Sequence, residues 1–387
     1  MKIREGYSLN FRDIGIYVHV PFCSNKCFYC DYSSVITKNK NMEKNYFEAL
    51  LKEIKLYENP DLMVKTIYIG GGTPSHVSFD YIEEIKEQLE NTFDLSHLEE
   101  FTIEMNPEDV KDEILANYKK IGVNRISVGI QSLDNNILKM VNRQNDAKTA
   151  KNAVNKIKKY FDNYNLDFIL GLPGETIKSV EKNLNFISEK NPPHVSYYIY
   201  DNNHESVLNR MIKNKKISLP KYEMVEDFAD LIYDYFEKND YKRYEISSWA
   251  IFNKESLHNK IYWQNLEYIG FGVSAGGYYN SSRYVNTKNF SYYIKQVSEG
   301  KKPYDYYKKN DKKEDLIETL FMGLRLIDGI SLKKIKDKYP EYFDVVVNFL
   351  KKDNFFIVDE NVRLSKKGLD YSTSSFVKIL ELEDLIT

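Results

Sequence analysis

Cys23, Cys27 and Cys30 are the entire cysteine complement of this 387-residue chain, and they stand within eight residues. Thiolates at this C-x3-C-x2-C spacing can ligate three irons of a [4Fe-4S] cube and leave the fourth iron open to a non-protein ligand. That open iron is the chemistry the spacing offers. A structural zinc site would want a fourth soft ligand close by, and the neighbouring Asp31 and Tyr32 are not soft. A disulfide would leave one thiol over, and unrelated core cysteines would have no reason to cluster.

Further residues could hold a ligand at that iron. Gly70-Gly71-Gly72-Thr73-Pro74 directly follows the apolar run 66–69. Glycines let a backbone approach a ligand closely and expose N–H and C=O groups at a strand end. Alone, such a turn is often only a turn. One βα unit after the cysteine loop it belongs on the same face, where it suits the amino group of a small zwitterion. Glu104 and Gln131 stand at the ends of the next two such runs, Arg143 offers a carboxylate clamp, and Asp167 precedes Phe168-Ile169-Leu170-Gly171-Leu172-Pro173-Gly174. Each alone reads as a salt bridge or cap, but a series at successive strand ends favours one shared ligand. His258 begins His258-Asn259-Lys260-Ile261-Tyr262-Trp263. A lone histidine is usually a polar surface residue, yet one beside two aromatics is also what a flat, iron-bearing macrocycle needs. Both readings stay open on the residues alone. His19 reads as a hydrogen-bonded core histidine, and His76, His97, His194 and His204 have no comparable context.

The elements that must position these residues follow from periodicity. Short β-branched runs at 14–20, 66–69, 101–105, 125–130, 166–170, 195–200 and 243–247 alternate with helical periods at 46–57, 81–92, 111–120, 147–160, 177–189 and 224–239. Repeated βα units of this kind predict an α/β fold with an open or partial barrel, its ligand loops at the C-terminal ends of the strands. Residues 1–298 are expected to form this unit. The Lys-, Asp- and Tyr-rich stretch 299–314, with Pro303, reads as a linker. Residues 315–387 then show three helical periods and a run, 355–364, that splits at Asp359-Glu360-Asn361 like a hairpin. That order predicts a small winged-helix-like α+β module.

Bulk properties exclude several classes. Lys+Arg 55 against Asp+Glu 57 gives a net charge of -2, so there is no electrostatic case for a nucleic-acid partner. Residues 1–14 lack the apolar core of a signal peptide, and no apolar run reaches membrane-spanning length. Free thiols without an export signal fit a cytoplasmic, reducing compartment.

Tyr17-Val18-His19-Val20-Pro21-Phe22-Cys23 with Cys27-Phe28-Tyr29-Cys30, the Gly70–Pro74 turn, Ser127-Val128-Gly129-Ile130-Gln131-Ser132 and the run from Asp167 to Gly174 together resemble radical S-adenosylmethionine (SAM) enzymes of the oxygen-independent coproporphyrinogen oxidase family. The resemblance runs from about Tyr17 to the C-terminus. It implies a partial (β/α)6 radical SAM barrel, with a [4Fe-4S] cluster on Cys23, Cys27 and Cys30. It also implies SAM contacts from Tyr17, Tyr29, Gly71, Gly72, Thr73, Glu104, Gln131, Arg143 and Asp167. Two features of the oxidases are missing: a further cysteine two residues after the third, where Tyr32 stands, and a longer N-terminal arm. By contrast, His258-Asn259-x-x-Tyr262-Trp263 is similar to the HNxxYW signature of the family's heme-chaperone branch. So are Tyr244-Glu245-Ile246-Ser247, Gly270-Phe271-Gly272, and Leu364-Ser365-Lys366-Lys367-Gly368 near the C-terminus.

What that branch implies is heme held through His258, with the cluster and SAM controlling its binding or release to an acceptor hemoprotein. Contact with a membrane would then be peripheral, through membrane-bound acceptors. Reductive cleavage of SAM stays chemically open. Three alternatives remain at this point: oxidative decarboxylation of coproporphyrinogen III to protoporphyrinogen IX, a heme-degrading radical methyltransfer, and an interaction protein with a vestigial cluster.

Overall fold

The computed structural model describes residues 13–59 and 62–386. Six strands lie side by side in chain order, each parallel to the next: β1 (Asp13–Val20), β2 (Met63–Gly71), β3 (Glu100–Met105), β4 (Arg125–Gln131), β5 (Tyr164–Leu170) and β6 (His194–Ile199). Side chains alternate across a strand, so each strand divides its residues between two faces. One face is apolar. Ile14, Ile16, Val18 and Val20 of β1 are all fully buried there. They share a core with Phe47, Leu50 and Ile54 of α1 (Lys40–Lys55) and with Ile82, Ile85 and Leu89 of α2 (Phe79–Thr92). Burying each such side chain contributes roughly 1.5–3 kcal/mol, and the apolar faces of α3 (Asp112–Lys120), α5 (Ala147–Tyr160) and α6 (Ile177–Lys190) continue the layer beyond the short α4 (Asn135–Met140). Local signals start these helices: the side chains of Asn39, Asp134, Asp146 and Thr176 cap α1, α4, α5 and α6.

The seventh expected strand is corrected. Residues 243–247 do not form another parallel unit, because a turn splits them into β7 (Lys242–Glu245) and β8 (Ser248–Ala250). β8 pairs antiparallel to β6, and β7 antiparallel to β8. Beyond the other edge, β9 (Tyr268–Phe271) pairs parallel to β1, and β10 (Gly276–Tyr279), β11 (Ser282–Asn286) and β12 (Tyr304–Lys309) follow antiparallel. Among the described residues this makes one open twelve-stranded sheet with β12 and β7 at its edges. The partial barrel expected from the sequence is therefore present, and it is wider than six strands.

The expected linker is also corrected. Residues 304–309 are the edge strand β12, and Asp311 with Glu314 forms a capping box that starts α11 (Lys312–Gly323). Edge strands are commonly charged, which blocks pairing with other chains, so a Lys- and Tyr-rich edge reads in sequence like a solvated tether. The C-terminal module holds its own core, including Leu316, Leu320, Ile335, Val346, Leu350 and Ile379. Its strands Ile330–Ser331, Asn361–Leu364 and Phe356–Val358 form a three-stranded antiparallel sheet with the expected hairpin turn. Asp315 of α11 ties the module to the large sheet. It accepts hydrogen bonds from Tyr278 Oη at 2.6 Å and Tyr339 Oη at 2.7 Å, and pairs with Lys338 at 2.7 Å.

Candidate functional site

The sheet's second face is polar, and the site is built on it. From β3 to β6 the inward positions are Glu100, Thr102, Glu104, then Arg125 and Ser127, then Asn165 and Asp167, then His194 and Ser196. They satisfy one another. Asp167 accepts from Ser127 Oγ at 2.8 Å and from Asn165 Nδ2 at 2.7 Å, while Asn165 Oδ1 meets His194 Nδ1 at 2.7 Å. Burial of this depth without partners would cost several kcal/mol, roughly 1–3 per polar group.

Above this face the chain turns over into the cysteine loop. The two-residue strands Phe22–Cys23 and Val35–Ile36 pair in parallel and close it. His19 Nε2 donates to Ser33 O at 2.8 Å, which leaves Nδ1 to accept from Tyr17 Oη at 2.9 Å. Burial holds the His19 ring neutral, its pKa lowered to about 4. The core histidine read from the sequence thus fastens the loop from below. Asn142, in the left-handed region at φ 59, clamps it from the side by donating to Asn25 Oδ1 and Lys26 O.

All three cysteines line a cavity of about 330 Å³ at the C-terminal ends of β2 to β6. Thr73 Oγ1 donates to Cys23 Sγ at 3.4 Å, and Arg143 Nη1 to Cys27 Sγ at 3.7 Å. Burial pushes the Cys30 thiol up to about 11, so occupation by iron must release its proton. Among the described residues no three His, Cys, Asp or Glu side chains converge on one point as a single metal ion would require. The three cysteines line this one cavity, and a cube takes each thiolate on a different iron.

Eight of the nine expected SAM contacts line the same cavity: Tyr29, Gly71, Gly72, Thr73, Glu104, Gln131, Arg143 and Asp167. Gly71 sits at φ 107, and a Cβ there would meet the His19 ring at 2.4 Å, so the close turn requires glycine. Its N–H donates to Glu104 Oε2 at 3.1 Å, and Tyr68 Oη donates to Oε1 at 2.7 Å. Burial outweighs these bonds and raises the Glu104 carboxyl to about 7. Gln131 is also left-handed, at φ 65, where β4 slips register against β5. Arg143 Nη2 holds Gly129 O at 2.5 Å and Nε holds Asn145 Oδ1 at 3.0 Å, so its guanidinium is pre-set beside Cys27. Tyr17 is the exception. It lies beneath the cavity, bonded to His19 and beside Tyr68, and does not line the wall.

His258 is placed differently from an open ligand. It lies on α9 (Leu257–Trp263), whose N-cap is Ser256 and whose first N–H groups are bound by Glu100. The ring is fully buried in the sheet's interior, with Nδ1 at 2.7 Å from Thr66 Oγ1, Nε2 at 2.7 Å from Tyr262 Oη, and Tyr68 stacked on it. Burial lowers its pKa to about 3, which keeps it neutral. In this arrangement both nitrogens are engaged. Its neighbour Asn259 lines the cluster cavity instead.

Sequence reasoning missed Arg125, Asn165, His194, Ser196 and His204, of which all but His194 line the cavity. The signal was present as polar residues two apart at 125/127, 165/167 and 194/196, the last two pairs beginning one residue before the strand candidates 166–170 and 195–200. Two residues apart means one face of the sheet.

A three-cysteine loop over the strand ends of an open parallel sheet, facing a pocket with an acidic, an amide and a guanidinium group, defines the radical SAM class. The Radical SAM superfamily matches residues 17–187. When bound, that class's [4Fe-4S] cluster presents an open iron to SAM and can pass it an electron; the residues above fit both groups. The chain is 32% identical to the heme chaperone HemW of Lactococcus lactis over 376 residues, covering 95% of this chain and 97% of that one. It is 31% identical to that of Bacillus subtilis, covering 93% of each. The chain belongs to the HemW family. Coproporphyrinogen III oxidase (HemN) from Escherichia coli shares the fold, with a TM-score of 0.82 at 22% identity over 96% of this chain and 90% of that one.

Proposed function

We propose that this protein binds heme and hands it to an acceptor hemoprotein, in the cytoplasm, with the occupancy of the cluster and SAM cavity controlling the transfer. The relatives at 32% and 31% identity are heme chaperones by name. The observation that carries the reading is the placement of α9. This one helix touches the cluster cavity through Asn259 and reaches the C-terminal module through Trp263, over which Arg325 packs at 5.1 Å. A change at the cluster can therefore be felt at the far end of the HNxxYW segment.

Within this reading Arg143 binds the SAM carboxylate, Glu104 and the Gly71 turn receive its amino group, and Asp167 faces its nucleoside. His258 supplies a neutral imidazole, the form iron ligation needs. Its Nε2 lies 2.7 Å from Tyr262 Oη, the one partner that ligation would replace. Among the described residues no helix is long and apolar enough to cross a membrane, so contact with membrane-bound acceptors would be peripheral. Tyr32, standing where the oxidases carry a further cysteine, is 64% exposed at the cavity and offers no thiolate.

The test is anaerobic reconstitution with iron and sulfide, then heme titration of wild type and His258→Ala, with coproporphyrinogen III consumption followed in the same samples. One heme per chain, bound more weakly by the variant, with no consumption, is expected. Turnover of coproporphyrinogen would assign the chain to the decarboxylases instead.

A further inference from the structure

A second, larger cavity of about 700 Å³ lies between the end of α9 and the C-terminal module, well away from the cysteines. Its wall is mainly apolar: Trp263 and Leu266 from the large sheet's side, Leu326 and Ile330 from the module. Three lysines and one acid, Asp337, stand around it. Lys338 is committed to Asp315, and Lys334 reaches across to Gln264 O at 3.2 Å. Lys333 is exposed and pairs with no acid among the described residues. The indole N–H of Trp263 is buried without a hydrogen-bond partner, in a ring clamped by Arg325. Native structures leave few such donors unpaired.

Ligand cavities typically run about 300–1,000 Å³. The cavity behind the cysteines, at about 330 Å³, mixes carboxylates, amides and guanidinium groups with Met105, Ile169, Ile199 and several tyrosines, and a nucleotide and a cube already claim that volume. The second cavity is twice that volume, with apolar walls and cations at the rim. Its complement is a flat apolar ring bearing carboxylates.

We infer that the cavity between α9 and the C-terminal module holds the tetrapyrrole ring, with Lys333 and Lys334 facing its carboxylates. This rests on the heme-binding reading above and deepens it, by giving the C-terminal module half of the site. No histidine, cysteine, methionine or tyrosine lines this cavity. The grip proposed here is on the ring's faces and carboxylates, so a metal-free porphyrin is held too, and iron ligation by His258, which lies outside this lining, adds to the binding of heme alone.

The experiment is titration of reconstituted wild-type protein, Leu326→Trp, Ser331→Trp and Lys333→Glu with heme and with metal-free protoporphyrin IX, recording cluster absorption and SAM binding in each. Wild type is expected to bind both porphyrins. The two tryptophan variants, which fill the cavity, should weaken both by at least about tenfold, equivalent to about 1.4 kcal/mol. Lys333→Glu should weaken both about threefold, and the cluster and SAM binding should be unchanged. Ser331 and Lys333 are exposed, so these two variants decide the matter should Leu326→Trp fail to fold. Heme binding unchanged in all variants would overturn the cavity and leave the chaperone reading standing. Wild type that binds neither porphyrin would overturn both. Heme bound without protoporphyrin IX would place the grip at an iron ligand and overturn the cavity alone.

Discussion

The cavity behind the cysteine loop carries Glu104, Asp167, Arg125, Arg143 and a row of amides beside Met105, Ile169 and Ile199, whereas the one behind Trp263 is walled by leucine, isoleucine and an indole, with three lysines and Asp337 around it. The first is drawn from the ends of consecutive strands of one sheet. The second forms where two separate cores meet, the large sheet's and the module's. The contrast teaches a division of labour. Charge and hydrogen-bonding groups preorganised on a rigid sheet suit a zwitterionic nucleotide, and an apolar seam between two bodies suits a greasy cargo that must leave again. α9 is the piece common to both.

The largest test of that division is Cys27→Ala. Iron–sulfur absorption and EPR signals after reconstitution should be lost. Porphyrin affinity should stay within about twofold but no longer respond to SAM, as expected when coupling between two sites is cut. Porphyrin binding that vanishes with the cluster would merge the two cavities into one site.

Next in size is Arg143→Ala. The guanidinium is held by Gly129 O and Asn145, beside Cys27. Losing a charge-assisted clamp costs about 2–3 kcal/mol, or roughly a hundredfold in SAM affinity by equilibrium dialysis. Arg143→Lys should recover little, because one ammonium cannot reproduce a planar fork.

Asp315→Ala attacks the other region. It strips the shared acceptor of Tyr278, Tyr339 and Lys338 and should cost about 3 kcal/mol. Thermal unfolding followed by calorimetry should then separate the module from the large sheet. Porphyrin binding should weaken, while SAM binding holds.

The smallest effect is one of pH. Burial raises the Glu104 carboxyl to about 7, so the ligand-free protein gains stability from the protonated form. That contribution is whole below the ordinary carboxylate value and is lost as pH rises through about 7. A cationic amino group needs the carboxylate, so SAM affinity should fall by up to about tenfold per unit as pH drops below 7. Glu104→Gln should flatten the profile, and porphyrin binding should show no such slope.

Much of the first cavity was legible in the chain. The cysteine spacing, the Gly70–Pro74 turn, Glu104 and Gln131 are local features at the ends of readable strands, Asp167 lies within one and Arg143 follows a short helix, and the parallel βα order puts the strand ends on one edge. Tyr17, implied by the family resemblance, lies against His19 and Tyr68 and does not line the cavity, a matter of depth that resemblance does not carry. The polar ladder from Arg125 through Asn165 to His194 was overlooked, since its members look ordinary until three strands are laid side by side. The charged run at 304–309 read as a tether because an edge strand's composition is that of solvent-facing chain.

His258 shows where reading the chain stops. Its six-residue motif left a surface residue and a heme ligand both open, and the family resemblance favoured the ligand. Folding buries that ring between Thr66, Tyr68 and Tyr262 and turns Asn259 and Trp263 toward the two cavities instead. The amino-acid order by itself determined the chemistry of the cluster loop, the repeat of the sheet and the family, because these rest on spacing within about thirty residues, one βα unit. Tertiary structure alone decided that β9 returns to pair beside β1, that the module packs on α9, and that an apolar space remains between them. Those outcomes depend on surfaces distant in sequence meeting in space, and no local pattern of residues carries that information.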